Sequence, residues 1–331
     1  MNKHVMICTG GGGSPEPVKS HGFTMAEILL SLTIIGVVAA ITLPSLTGNI
    51  NERTWNTQRK ALYARFSQAV ALMPALNGYG TFTLGTESTS AVDTAAETFV
   101  TAGLSKVLKI NNICDSEHLA DCGIPKSFTT LAGQQISSFP KNIGEMNSLF
   151  TGRGIDGTIN PQKDINTKAA AFETQNGESV VVYYNPNCES DMQEVNYVFA
   201  QTKMCANFVY DLNGNKGPNT VGKDIGFISV LYPSDSIVVS PQPLTNNVSN
   251  TGSSTNTSSL CKTQDADSRA PNRDELSAMF YNMKFLGIER GLYWSTAVKA
   301  STNNMWHQSF DTGRRYLGAP GSAAFLRCIK R

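Results

Sequence analysis

One carboxylate, Glu27, stands at the head of an otherwise uncharged apolar run from Ile28 to Leu46. A charged group at the mouth of such a segment is costly to bury, so it calls for a cationic partner and marks a functional position. Much further along, Asp211, Asn213 and Asn215 alternate like the first oxygen ligands of a calcium loop. Lys216 stands where such a loop carries glycine, and Gly222 where its bidentate glutamate belongs. The same residues therefore also read as a turn in which Asn and Gly supply positive-φ backbone, and the calcium reading stays open beside it. The chain has seven cysteines, at 8, 114, 122, 188, 205, 261 and 328. No Cys-x-x-Cys pair occurs and only four His are present, which argues against zinc. No Ser-His-Asp pattern, His-Glu-x-x-His, phosphate loop or dinucleotide fingerprint occurs either. With two of the four histidines, His4 and His21, near the start, little acid–base equipment remains. The expectation is a protein that is not an enzyme and needs no cofactor, calcium being the one ion left open.

The elements that position these residues follow from patterning. A helix of about 20 apolar residues matches the hydrocarbon core of a bilayer, so residues 23–46 are expected to be membrane-embedded. Pro44 removes an internal hydrogen bond and is expected to kink the helix there. Residues 1–22 form a polar leader with Lys3 and Lys19 and no apolar stretch of its own. Basic residues ahead of the span place the leader in the cytoplasm and the rest outside, so the expected localisation begins at the inner membrane with the head in the periplasm. Trp55, Leu62, Phe66, Val70 and Met73 recur at helical spacing and continue the helix to Pro74 and Asn77-Gly78, as a core-facing stripe. Formal net charge is +1, which implies no nucleic-acid partner. The six cysteines after the leader form an even set, as exported disulfide-bonded chains have. Domain layout favours nearest-neighbour pairs: Cys114 with Cys122, Cys188 with Cys205, Cys261 with Cys328.

Residues 77–232 read as a mixed globular head, with a helical stretch around 91–110 and β-rich runs at Ser179–Tyr184, Phe208–Asp211 and Ile225–Leu231. Residues 233–260 change abruptly to Pro, Ser, Thr and Asn, which cannot bury enough apolar surface to order themselves. A flexible linker and a domain boundary are expected there. Residues 261–331 make a last small domain, in which Asn272 is placed to cap a helix ahead of Glu275.

Two resemblances sharpen this reading. The leader ending in Gly22, the Gly-Phe junction, Glu27 and Pro44 resemble the type IV prepilin signature, shared by pilins and the pseudopilins of type II secretion. The resemblance implies cleavage by prepilin peptidase between Gly22 and Phe23, N-methylation of Phe23, and Glu27 as the assembly carboxylate. In a filament Glu27 would neutralise the new terminal ammonium of a neighbouring subunit, so other pilin or pseudopilin subunits are the expected partners. Asn213-Gly…Gly217-Pro-Asn219…Gly222-Lys-Asp224 resembles a hairpin of pilin-like heads.

Residues 261–331 resemble a bacterial C-type-lectin-like module. The resemblance rests on Arg269-Ala-Pro271, Glu275-Leu276, Tyr293-Trp-Ser295, Trp306…Phe310 and the terminal Arg327-Cys328. It implies that Cys261–Cys328 staples the module and that its ligand surface lies between Trp294 and Tyr316. Trp306, His307, Arg314, Arg315 and Tyr316 are its surface candidates, facing a glycan or protein ligand, while Trp294, Phe310 and Phe325 are expected in the core. The expected whole is α+β: a long N-terminal transmembrane helix packed on a head with an antiparallel sheet, then a linker and the lectin-like module. The expected function is a minor pilin-like subunit that displays a recognition or adhesion domain on a type IV pilus at the cell surface. The alternative is a pseudopilin of a type II secretion system, in a periplasmic pseudopilus, contacting cargo or the outer-membrane channel.

Overall fold

In the computed structural model, the described residues are 24–76, 82, 94–146, 167–186, 188, 203–232, 237–239, 244–251, 257–264, 266–299, 304–318 and 324–330. Gly22, Phe23 and Cys8 lie outside them, as do the side chains of 41–51, Pro44 included. The chain divides into two compact units, Met1–Glu52 and Arg53–Arg331. The first helix, α1 (Met25–Leu76), runs as one element through both.

Within the second unit, α2 (Ala95–Thr98) runs on through a π-helical turn, Phe99–Gly103. Then follow β1 (Ile110–Cys114), a small hairpin of β2 (Phe128–Thr129) and β3 (Gln135–Ile136), and α3 (Ile143–Met146). The main strands are β4 (Ala170–Thr174), β5 (Ser179–Tyr184), β6 (Lys203–Asp211), β7 (Ile225–Tyr232) and β8 (Ile237–Val239). With β1 at its edge, they form one antiparallel sheet in the order β1-β4-β5-β6-β7-β8.

After it come β9 (Leu244–Thr251), α4 (Thr257–Gln264), β10 (Ser268–Arg269), α5 (Arg273–Tyr281), α6 (Met283–Leu286), β11 (Leu292–Lys299), β12 (Asn304–Ser309), β13 (Arg315–Gly318) and β14 (Ala324–Lys330). A second sheet has the order β10-β14-β11-β12-β13, and β9 also pairs with β14.

The period of two in the strands explains how these layers stack. On one face of the first sheet, Phe172, Val180, Val182, Tyr184 and Phe208 pack with Leu62, Phe66 and Met73 of α1 and Phe99. On the other face, Ala171, Val181, Tyr183, Val209 and Phe227 share one core with Phe280, Phe285 and Leu286 of α5 and α6 and with Tyr293 and Phe310 of the second sheet. Every residue of β5 is consequently buried. A strand covered on both faces is apolar without alternation, and Val180-Val-Val-Tyr-Tyr184 is such a run. The far face of the second sheet carries Trp294, Met305, Leu326 and Cys328 against Cys261 of α4.

The tract expected to be a flexible linker is built differently. Within 233–260, β8 pairs with β7 and β9 with β14, and α4 begins at Thr257. The C-terminal segment also shares its core with the first sheet instead of standing apart. Composition misled here because a strand at a sheet edge can be held by backbone hydrogen bonds whatever its side chains. The cysteine pairs are those expected: Cys114–Cys122, Cys188–Cys205 and Cys261–Cys328, with Cα–Cα separations of 6.0, 5.0 and 5.4 Å. The helical stripe of α1 is also as expected, with Leu62, Phe66, Val70 and Met73 buried and Trp55 packed at its margin.

Candidate functional site

Three regions carry the residues singled out by sequence. At the start of α1, Glu27 closes a reciprocal capping box with Thr24. The Thr24 backbone N–H and hydroxyl donate to Glu27 Oε2, both at 2.9 Å, and the Glu27 N–H donates to Thr24 Oγ1 at 3.3 Å. Sequence inspection placed a carboxylate here but missed Thr24, although Thr-x-x-Glu ahead of an apolar run is a legible capping signal. Beyond it, Leu29, Leu30, Leu32, Ile34, Ile35, Val37 and Val38 are all exposed. They surround the helix instead of lining one stripe, and none of the described residues covers them. A helix apolar all round needs lipid or other helices about it. Among the described residues no helix is long and apolar enough to cross a membrane. The apolar run continues in sequence to Leu46, beyond the last described side chain of that stretch, Ala40.

The β6–β7 connection is the second region. Its neck is closed by the Asp211–Ile225 pair and by the Leu212 N–H on the Asp224 carbonyl at 3.0 Å. Gly214, Gly217, Asn219 and Gly222 all have positive φ, so the Asn and Gly positions do supply left-handed backbone. The Asp224 carboxylate accepts from the Asn219 and Thr220 N–H groups at 2.8 Å each. Arg59 of α1 braces the turn, donating to the Gly222 carbonyl at 2.9 Å and to that of Lys223.

Asp211 is buried, and its carboxylate accepts from the Asn213 N–H, at 3.0 Å to Oδ1, and from the Gly214 N–H. Desolvation, with the nearby Asp224 charge adding to it, pushes the Asp211 pKa up to about 7. Asn215, expected beside Asp211 and Asn213, is exposed, because the chain turns outward there. Asn219 is the residue that spacing did not flag, since a glycine-rich loop can fold back and bring a distant position inward. Among the described residues no group of three or more His, Cys, Asp or Glu gathers.

The third region lies on β12 and β13, where the five surface candidates divide. Trp306, Arg314 and Tyr316 are half-buried, with the Arg273 guanidinium 5.3 Å from the Trp306 ring centroid. His307 and Arg315 are buried and do not belong to a surface. Trp306 and His307 are neighbours on a strand and so face opposite ways. His307 packs edge-on to Trp294 at 5.2 Å and stacks on Tyr316 at 5.7 Å. Burial lowers its pKa.

Arg315 donates to Ser277 Oγ at 2.6 Å, the Arg273 carbonyl at 2.9 Å and Asp274 Oδ1 at 3.1 Å. It therefore ties β13 to α5. Trp294 and Phe310 are fully buried and Phe325 packs against the core, as expected. Asn272 caps α5 in a capping box with Glu275, also as expected. Glu275 additionally holds Arg269 by two bonds, at 2.7 and 2.5 Å.

Residues 18–43 match the family described as the prokaryotic N-terminal methylation motif. The match supports a type IV pilin-like or pseudopilin-type protein, and implies prepilin peptidase processing and pilin subunits as partners. No curated protein and no solved structure matches the chain.

Proposed function

We propose that the protein is a non-catalytic, minor pilin-like subunit of a type IV pilus. In this reading prepilin peptidase cuts at Gly22-Phe23, Phe23 is N-methylated, and the apolar start of α1 holds the chain in the inner membrane until assembly. The observation that carries the reading is the methylation motif at 18–43 at the head of a helix whose apolar side chains are exposed all round. Glu27 supplies the charge that pairs with a neighbouring subunit's terminal ammonium. It must then exchange part of its bonding to Thr24 for that partner.

The bulk of the second unit, two sheets sharing one core, supports a minor role, because so large a head crowds a tight helical lattice. The C-terminal segment would offer a recognition surface, lectin-like or otherwise, through Trp306, Arg314 and Tyr316. Its shared core with the first sheet favours a rigidly presented surface over one on a flexible stalk.

Mass spectrometry of the mature protein tests the processing: the expected species begins at a methylated Phe23 and contains three disulfides. An unprocessed terminus would refute the reading. A Glu27→Ala chain should still be exported but fail to enter filaments, and normal incorporation would remove the role assigned to that carboxylate. Deletion of the gene, scored for surface piliation and for secretion of exported proteins, separates a pilus subunit from a secretion pseudopilin.

A further inference from the structure

Three side-chain oxygens of the β6–β7 connection, Asp211 Oδ2, Asn213 Oδ1 and Asn219 Oδ1, are inaccessible to solvent and have no hydrogen-bond donor among the described residues. Buried acceptors are nearly always paired, so three in one loop call for an explanation. The surrounding bonds show that these atoms are left over and not misplaced. The Asn213 amide nitrogen is already directed at the Gly217 and Lys216 carbonyls, 2.9 and 3.3 Å away, which fixes which end of the amide is its oxygen. Asn219 is held by its own N–H on Asp224 and by its carbonyl, which accepts from the Thr129 N–H at 2.8 Å. Asp211 is 1% exposed, with Oδ1 engaged and no hydrogen bond to Oδ2 among the described residues.

A single water has two protons and cannot satisfy three acceptors. Lys216 and Lys223, the lysines of the loop, are exposed, and the two Nη groups of Arg59 donate to Asn56 and to the Gly222 and Lys223 carbonyls. What satisfies several oxygens at once, one of them anionic, is a hard cation. Calcium takes six to eight oxygen ligands in irregular geometry, mixing carboxylate, amide, carbonyl and water, whereas magnesium demands a near-ideal octahedron.

We propose that this loop is a calcium site, ligated by Asp211 Oδ2, Asn213 Oδ1 and Asn219 Oδ1, with water or backbone carbonyls completing the shell. Asp224 provides the second negative charge and keeps residues 219 and 220 folded around the ion through its two backbone bonds. The site stands independently of the pilin reading: it would bind calcium in any export-facing protein, and its failure would leave the methylation motif untouched.

The test uses the full chain in detergent, stripped with EGTA and titrated calorimetrically with CaCl2 at pH 8. The expected result is one ion per chain, with a Kd in the range of about 10⁻⁴ to 10⁻³ M typical of extracellular modules. A melting temperature several degrees higher in about 5 mM CaCl2 than in EGTA should accompany it. Asp211→Asn should weaken binding by more than about tenfold, since it removes the only charged ligand. In EGTA it should melt at or above the wild-type temperature, because it also removes a buried charge. Asn219→Ala, which leaves that charge in place, should weaken binding as well and serves as the second variant if Asp211→Asn misfolds. Absence of heat and of any melting shift would overturn the proposal. So would a calcium response that survives both substitutions, or an equal response to MgCl2.

Discussion

Phe285 sits where the two sheets meet, and truncating it tests whether they form one cooperative body. Its ring is fully buried, with centroids of Phe128 at 5.2 Å, Phe139 at 5.9 Å and Tyr183 at 6.4 Å. The Phe285 carbonyl also accepts from the Leu131 N–H at 3.1 Å, so the backbone is pinned and the site cannot collapse inward easily. Phe→Ala in such a core costs about 3–5 kcal/mol, and the lost aromatic contacts place this case in the upper half of the range. For a folded unit of this size, each kcal/mol lowers the melting temperature by roughly 2–4 °C, so a fall of about 10 °C is expected.

The assay is thermal unfolding of Phe285→Ala in detergent, followed by near-ultraviolet circular dichroism and by the fluorescence of Trp294, on the far face of the second sheet, in a background with Trp55 and Trp306 replaced by Phe. Both probes should shift together. Two separate transitions, with only one of them displaced, would refute the shared core, as would a total cost below about 1 kcal/mol. A chain truncated after Tyr232 gives the reciprocal check: it should aggregate, because it exposes Val181, Tyr183, Val209 and Phe227.

Further outcomes follow from other contacts. In EGTA, stability should fall as pH rises from about 4 to 7, because folded Asp211, with its pKa near 7, holds a proton that the unfolded chain has already released. The contribution is at most roughly 4 kcal/mol, and urea melts across that window should lose this fall in Asp211→Asn, leaving the opposite slope of His307, whose lowered pKa makes stability rise with pH. Reducing Cys261–Cys328, or replacing both residues by Ser, should cost about 4 kcal/mol, given the 67 residues the bridge encloses. Melts of the double Ser variant against the unsubstituted chain measure it, with the other two disulfides left intact. Glu275→Ala removes the N3 half of the α5 capping box and leaves Arg269 without its carboxylate. A loss of about 2 kcal/mol in denaturant melts is expected, with Glu275→Gln retaining part of it.

Much of this was legible one segment at a time. The Asn272 cap, the α1 stripe, the β-rich runs and the Cys114–Cys122 and Cys188–Cys205 pairs depend on neighbours in sequence or on short loops, and each appears where spacing put it. What misled were features whose meaning is set by distant chain. The polar tract before Cys261 reads as a linker until β7 and β14 are there to pair with it. His307 and Arg315 look like surface residues until Trp294 closes over one and Ser277 and Asp274 receive the other. The continuous run Val180–Tyr184 did carry a clue, since a strand with a wet face would alternate.

By itself, then, the order of residues determined the methylation motif over residues 18–43, the lone Glu27 and the helix that follows, because these act through local spacing and a change of solvent that any reader of hydropathy can see. Only the tertiary structure decided that the C-terminal segment packs on the first sheet, and that the Asn219 side-chain oxygen is closed off from solvent while Asn215 is exposed. Burial and pairing are properties of what comes to lie alongside a residue, and that depends on how sheets stack and loops turn back.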